Sequence, residues 1–168
     1  MLLTYTIVES GFGKLLVAAT DKGVCRVMLG DTEEELTGAL LHEFSKAEIK
    51  RDDKPLRSHV ATLMECLAGG APRTELPLDV RGTPFQTRVW EELRRIPRGR
   101  TVTYGELAAK IGRPTAVRAV ARACAANPVA VFTPCHRVIR ADGKPGGYRW
   151  GIERKRELLD KEKTRSGE

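Results

Sequence analysis

Apolar and polar positions in the first third of the chain alternate in short runs that are separated by glycine-containing turns. The runs Leu3–Glu9, Leu15–Ala19 and Val24–Leu29 are rich in apolar and β-branched residues. The turns Ser10–Gly13 and Asp21–Gly23 lie between them. Short strands joined in this way form antiparallel meanders. The pattern therefore predicts three consecutive strands near the amino terminus.

Helical spacing replaces this alternation after residue 31. A first helix is predicted over Thr32–Phe44, and a second from about Pro55 to Leu67. The apolar face of the first helix is expected to consist of Leu36, Leu40 and Leu41. The glycines and proline of Gly69–Pro72 break the second helix. The segment Leu76–Val80 is then either one more strand or an extended linker.

The second half of the chain is predicted to be mainly helical, and each of its first three helices has a threonine at its start. Thr83–Gln86 and Thr103–Glu106 have the threonine and acidic or amide residue of a capping box, and Thr115 is expected to cap the third helix. The predicted helices cover Pro84–Arg95, Tyr104 to about Ile111, and Ala116–Ala126. The last two are joined by a glycine-containing turn, which is the helix-turn-helix pattern.

The third of these helices has two different faces. Val117, Val120 and Cys124 recur at helical spacing and are expected to face the core. Arg118 and Arg122 lie off this stripe, among alanines. A face of small residues can approach a DNA groove closely while arginines reach phosphates or bases. DNA binding is therefore predicted, the alternative being an alanine-rich helix with solvated arginines.

Charge is distributed unevenly along the 168 residues, whose formal net charge is +7. Residues 1–80 carry 9 Lys/Arg and 13 Asp/Glu, a balance of −4, whereas residues 81–168 carry 20 and 9, a balance of +11. A basic half beside an acidic half favours a polyanionic partner for the basic one. For the second half we predict a nucleic-acid partner, the alternative on charge alone being a solvated basic surface. We also predict two domains, 1–80 and 81–168.

Cysteine spacing and the termini limit the other possibilities. The cysteines are Cys25, Cys66, Cys124 and Cys135, and no two form a CxxC pair or cluster with histidines. The sequence predicts no metal site and no cofactor. It also predicts no membrane span and no signal peptide, which favours the cytoplasm, where disulfides are rare. Apart from Cys135, we expect the thiols to be core residues.

Cys135 is followed by His136 directly after the apolar run Val129–Phe132, which we predict to be a buried strand. A thiolate is the reactive form of cysteine, and a neighbouring base can generate it. Adjacent side chains on an extended strand point in opposite directions, so His136 is expected to reach the thiol through a turn or a bridging water. This pair predicts a nucleophile and its base.

A carboxylate that orients the histidine is offered by the last predicted helix, Gly151–Glu162. Glu162 continues the face on which Lys155, Leu158 and Leu159 lie. A carboxylate buried there needs a partner. The alternative, a solvated glutamate at the end of the helix, stays open on periodicity alone.

The run Pro134–Ile139 resembles the signature of the O6-alkylguanine-DNA alkyltransferases. The resemblance extends over residues 81–162 and includes Gly82–Gln86, Val89–Trp90, Ile96–Pro97, Thr103–Ala108, Arg118–Val120, Asn127–Pro128 and Gly147–Gly151. The first 80 residues match only in general plan. The resemblance implies an α+β fold, in which a small strand-and-helix domain precedes a mainly helical domain with a helix-turn-helix and the active-site cysteine.

The activity that the resemblance implies is direct reversal of DNA damage. An alkyl group passes irreversibly from O6 of guanine in duplex DNA to Cys135 after the base is flipped out, so one molecule repairs one lesion. O4-alkylthymine is left open as a second substrate. The implied partner is double-stranded DNA containing O6-alkylguanine, without any cofactor. The chain is expected to act as a monomer, with cooperative binding left open, and to associate with the nucleoid if its source is bacterial or archaeal.

The resemblance also assigns roles to residues of the active site. Cys135 is the acceptor, His136 removes its proton through a water, and Glu162 orients His136. Asn127 braces the turn. Tyr104 contacts the DNA backbone and the flipped base, and donates a hydrogen bond as guanine leaves.

The remaining implied roles concern DNA and the base pocket. Arg118 takes the place of the extruded nucleotide from the minor groove, and the same helix brings Ala119 and Arg122 to DNA. The substrate pocket is expected to involve Tyr148, Arg149, Val138 and Lys155. Ala121 stands where a glycine is frequent in the family, and Arg149 and Trp150 replace smaller residues, so acceptance of bulky adducts such as benzyl stays open.

Three other classes of protein fit parts of this pattern. Non-catalytic alkyltransferase-like proteins replace the acceptor cysteine, which Cys135 argues against. A transcription factor would use the helix-turn-helix without needing Cys135 or His136. A cysteine hydrolase would require a separate histidine late in the chain, and the sequence has none there.

Overall fold

The structure, a computed structural model, describes residues 1–69 and 75–166. The chain divides into two compact units, one of residues 1–80 with 128–130 and the other of residues 81–127 with 131–168. The first is built on a sheet and the second mainly on helices. The predicted α+β class is therefore confirmed. No helix in the two described ranges is both long and apolar enough to cross a bilayer.

The first unit contains a four-stranded sheet. Its strands are β1 (Leu2–Glu9), β2 (Lys14–Ala19), β3 (Val24–Gly30) and β4 (Glu48–Arg51), in the order β3-β2-β1-β4. The predicted meander of β1 to β3 is confirmed, and all its pairings are antiparallel. β4 pairs in parallel with β1 and was not predicted. Its single apolar residue, Ile49, gives this polar edge strand no alternating pattern.

Two α-helices accompany the sheet, α1 (Glu33–Glu43) and α2 (Arg57–Ala68), the second preceded by a 3-10 turn over Lys54–Leu56. α2 ends at Gly69, whose φ of 96° lies in the left-handed region that favours glycine. The rest of the predicted break, residues 70–72, lies outside the described residues. The segment 76–80 is extended and forms one isolated bridge, between Leu78 and Val24.

One residue of the predicted apolar face of α1 was wrongly placed. Leu36 and Leu40 are buried, but Leu41 is 51% exposed. Leu36 and Leu40 lie one turn apart and define the centre of the buried stripe. Leu41 is rotated by about 100° from Leu40 and falls outside it.

The described part of the second unit contains four α-helices and two short strands. They are α3 (Pro84–Leu93), β5 (Val102–Thr103), α4 (Tyr104–Lys110), α5 (Val117–Ala125), β6 (Val138–Ile139) and α6 (Ile152–Ser166). β5 and β6 pair in parallel. The buried cluster of this unit includes Trp90, Leu93, Leu107 and Val120.

The first two predicted caps form. Thr83 Oγ1 accepts a hydrogen bond from the backbone N–H of Gln86 at 3.1 Å. In return, Gln86 Oε1 accepts one from the backbone N–H of Thr83 at 3.0 Å, which completes a capping box. At α4, Thr103 Oγ1 accepts from the Glu106 amide at 3.0 Å. These bonds satisfy amide groups that a helix start leaves without an internal partner.

The start of α5 differs from the prediction. Ala116, not Thr115, is the N-cap, and no side chain caps the helix. The Ala116 amide donates to the Arg113 carbonyl at 2.9 Å, which places Thr115 inside the preceding turn. Val117 is 38% exposed rather than buried, because the first turn of α5 extends beyond the core that Val120 and Cys124 reach.

Trp90 joins α3 to α5. Its indole Nε1 donates to the carbonyl of Ala123 at 2.9 Å, and its ring lies against Gly82. A Cβ built on Gly82 would lie 2.5 Å from the ring. Only glycine allows this approach without displacement of the indole.

We expect Gly82→Ala to lower the free energy of unfolding of the second unit by about 1–3 kcal/mol, the range found for overpacked cores. Gly105→Ala in α4 is the matched control, because its Cβ would meet only Thr103 Oγ1 at 3.8 Å. That variant should be neutral or stabilised by up to about 1 kcal/mol. Urea unfolding followed by tryptophan fluorescence measures both, and equal stabilities would contradict the packing described.

Candidate active site

The segment before the cysteine is buried but is not a strand, so the predicted strand over Val129–Phe132 is wrong. Val129 forms one isolated bridge, and the chain then turns. Val131 has a φ of 74°, an uncommon conformation for a β-branched residue. The chain changes direction here to enter a 3-10 turn over Cys135–Arg137, which an apolar run cannot reveal.

Asn127 braces the turn that carries the thiol. Its Nδ2 donates to the carbonyl of Thr133 at 2.7 Å and to Cys135 Sγ at 3.2 Å. The backbone amide of Cys135 donates to the same Thr133 carbonyl at 2.8 Å. The side-chain amide of Asn127 therefore fixes the backbone of the turn and also contacts the sulfur.

Glu162 meets two residues of the turn. Its Oε1 lies 2.7 Å from His136 Nε2. Arg137 donates from Nε to Oε1 at 3.2 Å and to Oε2 at 3.1 Å, and from Nη2 to Oε1 at 3.0 Å. Glu162 is 4% exposed and lies on the same face of α6 as Lys155 and Leu158, which are also buried. The solvated alternative for Glu162 is therefore wrong.

These contacts determine the protonation state and the tautomer of His136. Burial raises the pKa of Glu162, but the hydrogen bonds from His136 and Arg137 outweigh this and hold it at about 2. Burial lowers the pKa of His136, and Glu162 opposes that change. An ionised Glu162 accepts a hydrogen bond from the protonated Nε2 of a neutral His136, so Nδ1 is the nitrogen with a free lone pair. Within the described residues, this buried Nδ1 has no hydrogen-bond partner.

The surroundings of the Cys135 thiol shift its pKa in opposite directions. Burial raises the pKa of Cys135, whereas the hydrogen bond from Asn127 and the positive charge of Lys155 lower it. Lys155 is fully buried, and its Nζ donates to the carbonyls of Val138 at 2.7 Å and Gly147 at 3.1 Å. A buried ammonium thus favours the thiolate and also joins β6 to the loop before α6.

Cys135 lines a cavity of about 280 Å³. Its lining consists of Tyr104, Ala121, Cys124, Ala125, Cys135, Gly147, Tyr148 and Arg149. Burial raises the pKa of Tyr104 to about 12 and that of Tyr148 well above its ordinary value. Both phenols are therefore protonated at neutral pH. The buried hydroxyl of Tyr148 has no partner among the residues that the structure describes.

Sequence reasoning placed most of these residues together and missed others. Val138 and Lys155 do not line the cavity. Val138 packs in the core on β6, and Lys155 instead bonds to the carbonyl of Gly147, which does line it. Cys124, expected only in the core, also forms part of the cavity wall. Arg137 received no role, although a buried carboxylate such as Glu162 needs compensating partners and an arginine adjoins His136 in sequence.

The helix-turn-helix formed by α4 and α5 presents a basic surface beside the cavity. Arg118 and Arg122 on α5 are exposed, and Ala119 between them is half-buried. Tyr104 begins α4 and is half-buried because it also lines the cavity. Arg118, Arg122 and Tyr104 can therefore be reached by one large ligand.

We expect Asn127→Ala to raise the pKa of the Cys135 thiol, because it removes a hydrogen bond that favours the thiolate. The thiolate fraction at a given pH falls, so the pH profile of alkylation by iodoacetamide moves upward by about one unit, a tenfold slower reaction at neutral pH. The rate measured with Cys135→Ser is subtracted, because it reports the alkylation of the other thiols. An unchanged profile would show that Asn127 does not stabilise the thiolate.

Two family models match the chain and together cover nearly all of it. The model described as 6-O-methylguanine DNA methyltransferase, ribonuclease-like domain, matches residues 3–80. The model described as 6-O-methylguanine DNA methyltransferase, DNA binding domain, matches residues 84–164.

Curated proteins include similar sequences of two lengths. The bifunctional transcriptional activator/DNA repair enzyme Ada of Escherichia coli (strain K12) is 46% identical over 158 residues, which are 94% of this chain and 45% of Ada. The chain therefore spans about half the length of Ada. The methylated-DNA–protein-cysteine methyltransferase of Mycobacterium tuberculosis (strain H37Rv) is 40% identical over 166 residues, which are 98% of this chain and 95% of that protein.

Solved structures of the M. tuberculosis protein have the same fold. The O6-methylguanine methyltransferase of M. tuberculosis matches with a TM-score of 0.80 and 38% identity, over 97% of this chain and 94% of that one. M. tuberculosis OGT in complex with DNA matches with a TM-score of 0.79 and 35% identity, over 98% and 94%. The predicted family is confirmed, and the chain belongs to the 6-O-methylguanine DNA methyltransferase family.

Proposed function

We propose that the chain is a methylated-DNA–protein-cysteine methyltransferase that moves an alkyl group from O6 of guanine in duplex DNA onto Cys135. One observation carries the proposal: Cys135 lines a cavity beside a basic helix-turn-helix, and the residue that follows it, His136, is held by the carboxylate of Glu162. A nucleophile, its base and a nucleic-acid surface thus occur together in one compact unit.

Activation of the thiol uses the free nitrogen of His136. The proton of Cys135 passes through a bridging water to Nδ1, and the resulting imidazolium is stabilised by Glu162 through Nε2. Asn127 and Lys155 stabilise the thiolate that remains. General-base help of this kind contributes about 10²–10⁴-fold to a rate.

Transfer is a displacement at the alkyl carbon. The Cys135 sulfur forms a bond to that carbon as the bond from the carbon to O6 breaks, and guanine leaves with the electron pair. Tyr104 is protonated at neutral pH and lies in the cavity wall, so its hydroxyl can donate to the leaving base. The product is a stable thioether on Cys135, so each molecule acts once.

The buried position of the sulfur requires the base to leave the stack. A stacked guanine cannot bring its O6 substituent to a buried thiol, and extrusion costs a few kcal/mol, less for a damaged pair. Arg118 on α5 is exposed and can occupy the vacated space, while Ala119 allows close approach and Arg122 reaches phosphates. Binding is therefore expected to depend strongly on salt and little on sequence.

The cavity wall bears on the substrates accepted. Tyr148 and Arg149 form the side of the cavity that the loop before α6 supplies, and Lys155 holds this loop through Gly147. We propose O6-methylguanine as the principal substrate, with O4-alkylthymine as a further one. We also propose that the chain acts as a monomer in the cytoplasm, in association with the nucleoid if its source is bacterial or archaeal.

The decisive experiment is incubation with a duplex that carries one O6-methylguanine, followed by intact mass and peptide mapping. We expect the mass of one methyl group on Cys135, saturating at one per molecule. Cys135→Ser should remain unmodified. Cys124→Ser is the matched control, because Cys124 lines the same cavity and burial raises its pKa to about 12, and this variant should still accept the methyl group.

An unmodified wild-type protein that nevertheless binds the lesion would contradict transfer and support a damage sensor or regulator. Repeated turnover without modification would instead support a hydrolase.

A further inference from the structure

We propose that Arg137 is a positioning residue of the alkyl transfer, which neutralises Glu162 and thereby keeps His136 uncharged and able to accept the proton of Cys135. The inference rests on the proposed function, because it concerns the base of that reaction. It assigns a role to the arginine that follows the cysteine and histidine in sequence.

The geometry supports a shared carboxylate. Glu162 Oε1 meets both His136 Nε2 at 2.7 Å and Arg137 Nη2 at 3.0 Å, and Oε2 meets Arg137 Nε at 3.1 Å. Arg137 also donates from Nη1 to the carbonyl of Ile96 at 2.7 Å. The guanidinium is thus held against the carboxylate by the hydrogen bond that its other end donates to Ile96.

The charges around His136 explain why this matters. A buried carboxylate that faced only a histidine would favour the imidazolium, which cannot act as a base. Arg137 supplies a permanent positive charge that balances Glu162, so a second positive charge on His136 is disfavoured. The charged groups that act on the ring are Arg137 in the turn and Lys155 and Glu162 on α6.

The direction of each influence is consistent with this role. Burial lowers the pKa of His136, Glu162 raises it, and Arg137 and Lys155 lower it. Loss of Arg137 therefore raises the pKa of His136. The neutral fraction of His136 then falls at a given pH, and the acidic limb of the transfer reaction moves to higher pH.

A merely structural role would give a different result. If Arg137 served only to anchor the carbonyl of Ile96 or to hold the turn, its loss would slow the reaction by the same factor at every pH. The pH profile separates the two roles, because only a change in the pKa of His136 leaves the rate at high pH intact.

The test measures single-turnover methyl transfer from a saturating O6-methylguanine duplex from about pH 6 to 9, a range in which histidines titrate. In Arg137→Gln we expect the acidic limb to move upward by about one unit, with a rate about tenfold lower at neutral pH and recovery to within a few-fold at high pH. Arg137→Lys keeps the charge and should keep the limb near its wild-type position.

Arg95→Gln is the matched control. It removes a positive charge from the same unit, where Arg95 is 73% exposed and pairs with Glu92, and its profile should match the wild type. Circular dichroism establishes that each variant is folded. If Arg137→Gln does not fold, Arg137→Lys decides: a retained limb supports the role of charge, and a limb shifted upward by a unit or more overturns it.

A pH-independent loss in Arg137→Gln, or an unchanged profile, would overturn the inference while leaving the proposed function intact. Failure of the wild-type protein to methylate Cys135 in the same assay would instead contradict the proposed function. In that case the role of Arg137 is still decided by nuclear magnetic resonance titration of His136, whose pKa must rise in Arg137→Gln.

Discussion

The buried carboxylate of Glu162 is the constraint on which the rest of the second unit depends. At 4% exposure it cannot remain charged without partners, and it is satisfied by His136 and Arg137 of the turn that carries Cys135. Because Arg137 also bonds to Ile96, this single carboxylate connects α6, the active-site turn and the segment that follows α3. Removing one partner of such a group leaves a buried charge uncompensated, which costs several kcal/mol.

The same constraint supplies the chemistry. A carboxylate with a pKa held at about 2 fixes the proton of His136 on Nε2 and leaves Nδ1 available. The sulfur of Cys135 accepts a hydrogen bond from Asn127, and Cys135 lines a cavity of about 280 Å³. Lys155 adds a buried positive charge and holds the cavity wall through Gly147. The same few side chains thus stabilise the second unit and prepare the thiol for reaction. The basic surface of α5 belongs to the same unit.

The sequence predicted those features that depend on local patterns. Threonine caps and glycine turns are local, so the meander and the starts of α3 and α4 were predicted. The helical spacing of α6 put Glu162 on the face of Leu158 but left open whether the carboxylate is buried or solvated. Features that depend on distant partners could not be predicted this way. β4 pairs with an edge that β1 offers, Val138 packs in the core of the second unit, and the turn at Val131 replaces a strand. Arg137 was missed because its partner lies 25 residues away.

The central claim is that His136 is a neutral base with its proton on Nε2. The most direct measurement is the nitrogen chemical shifts of the His136 ring in the free protein at neutral pH, assigned by comparison with His136→Gln. The account predicts one protonated nitrogen, bound to Glu162, and one bare nitrogen of the kind that accepts a proton. Two protonated nitrogens, or a proton on Nδ1 with Nε2 bare, would contradict it.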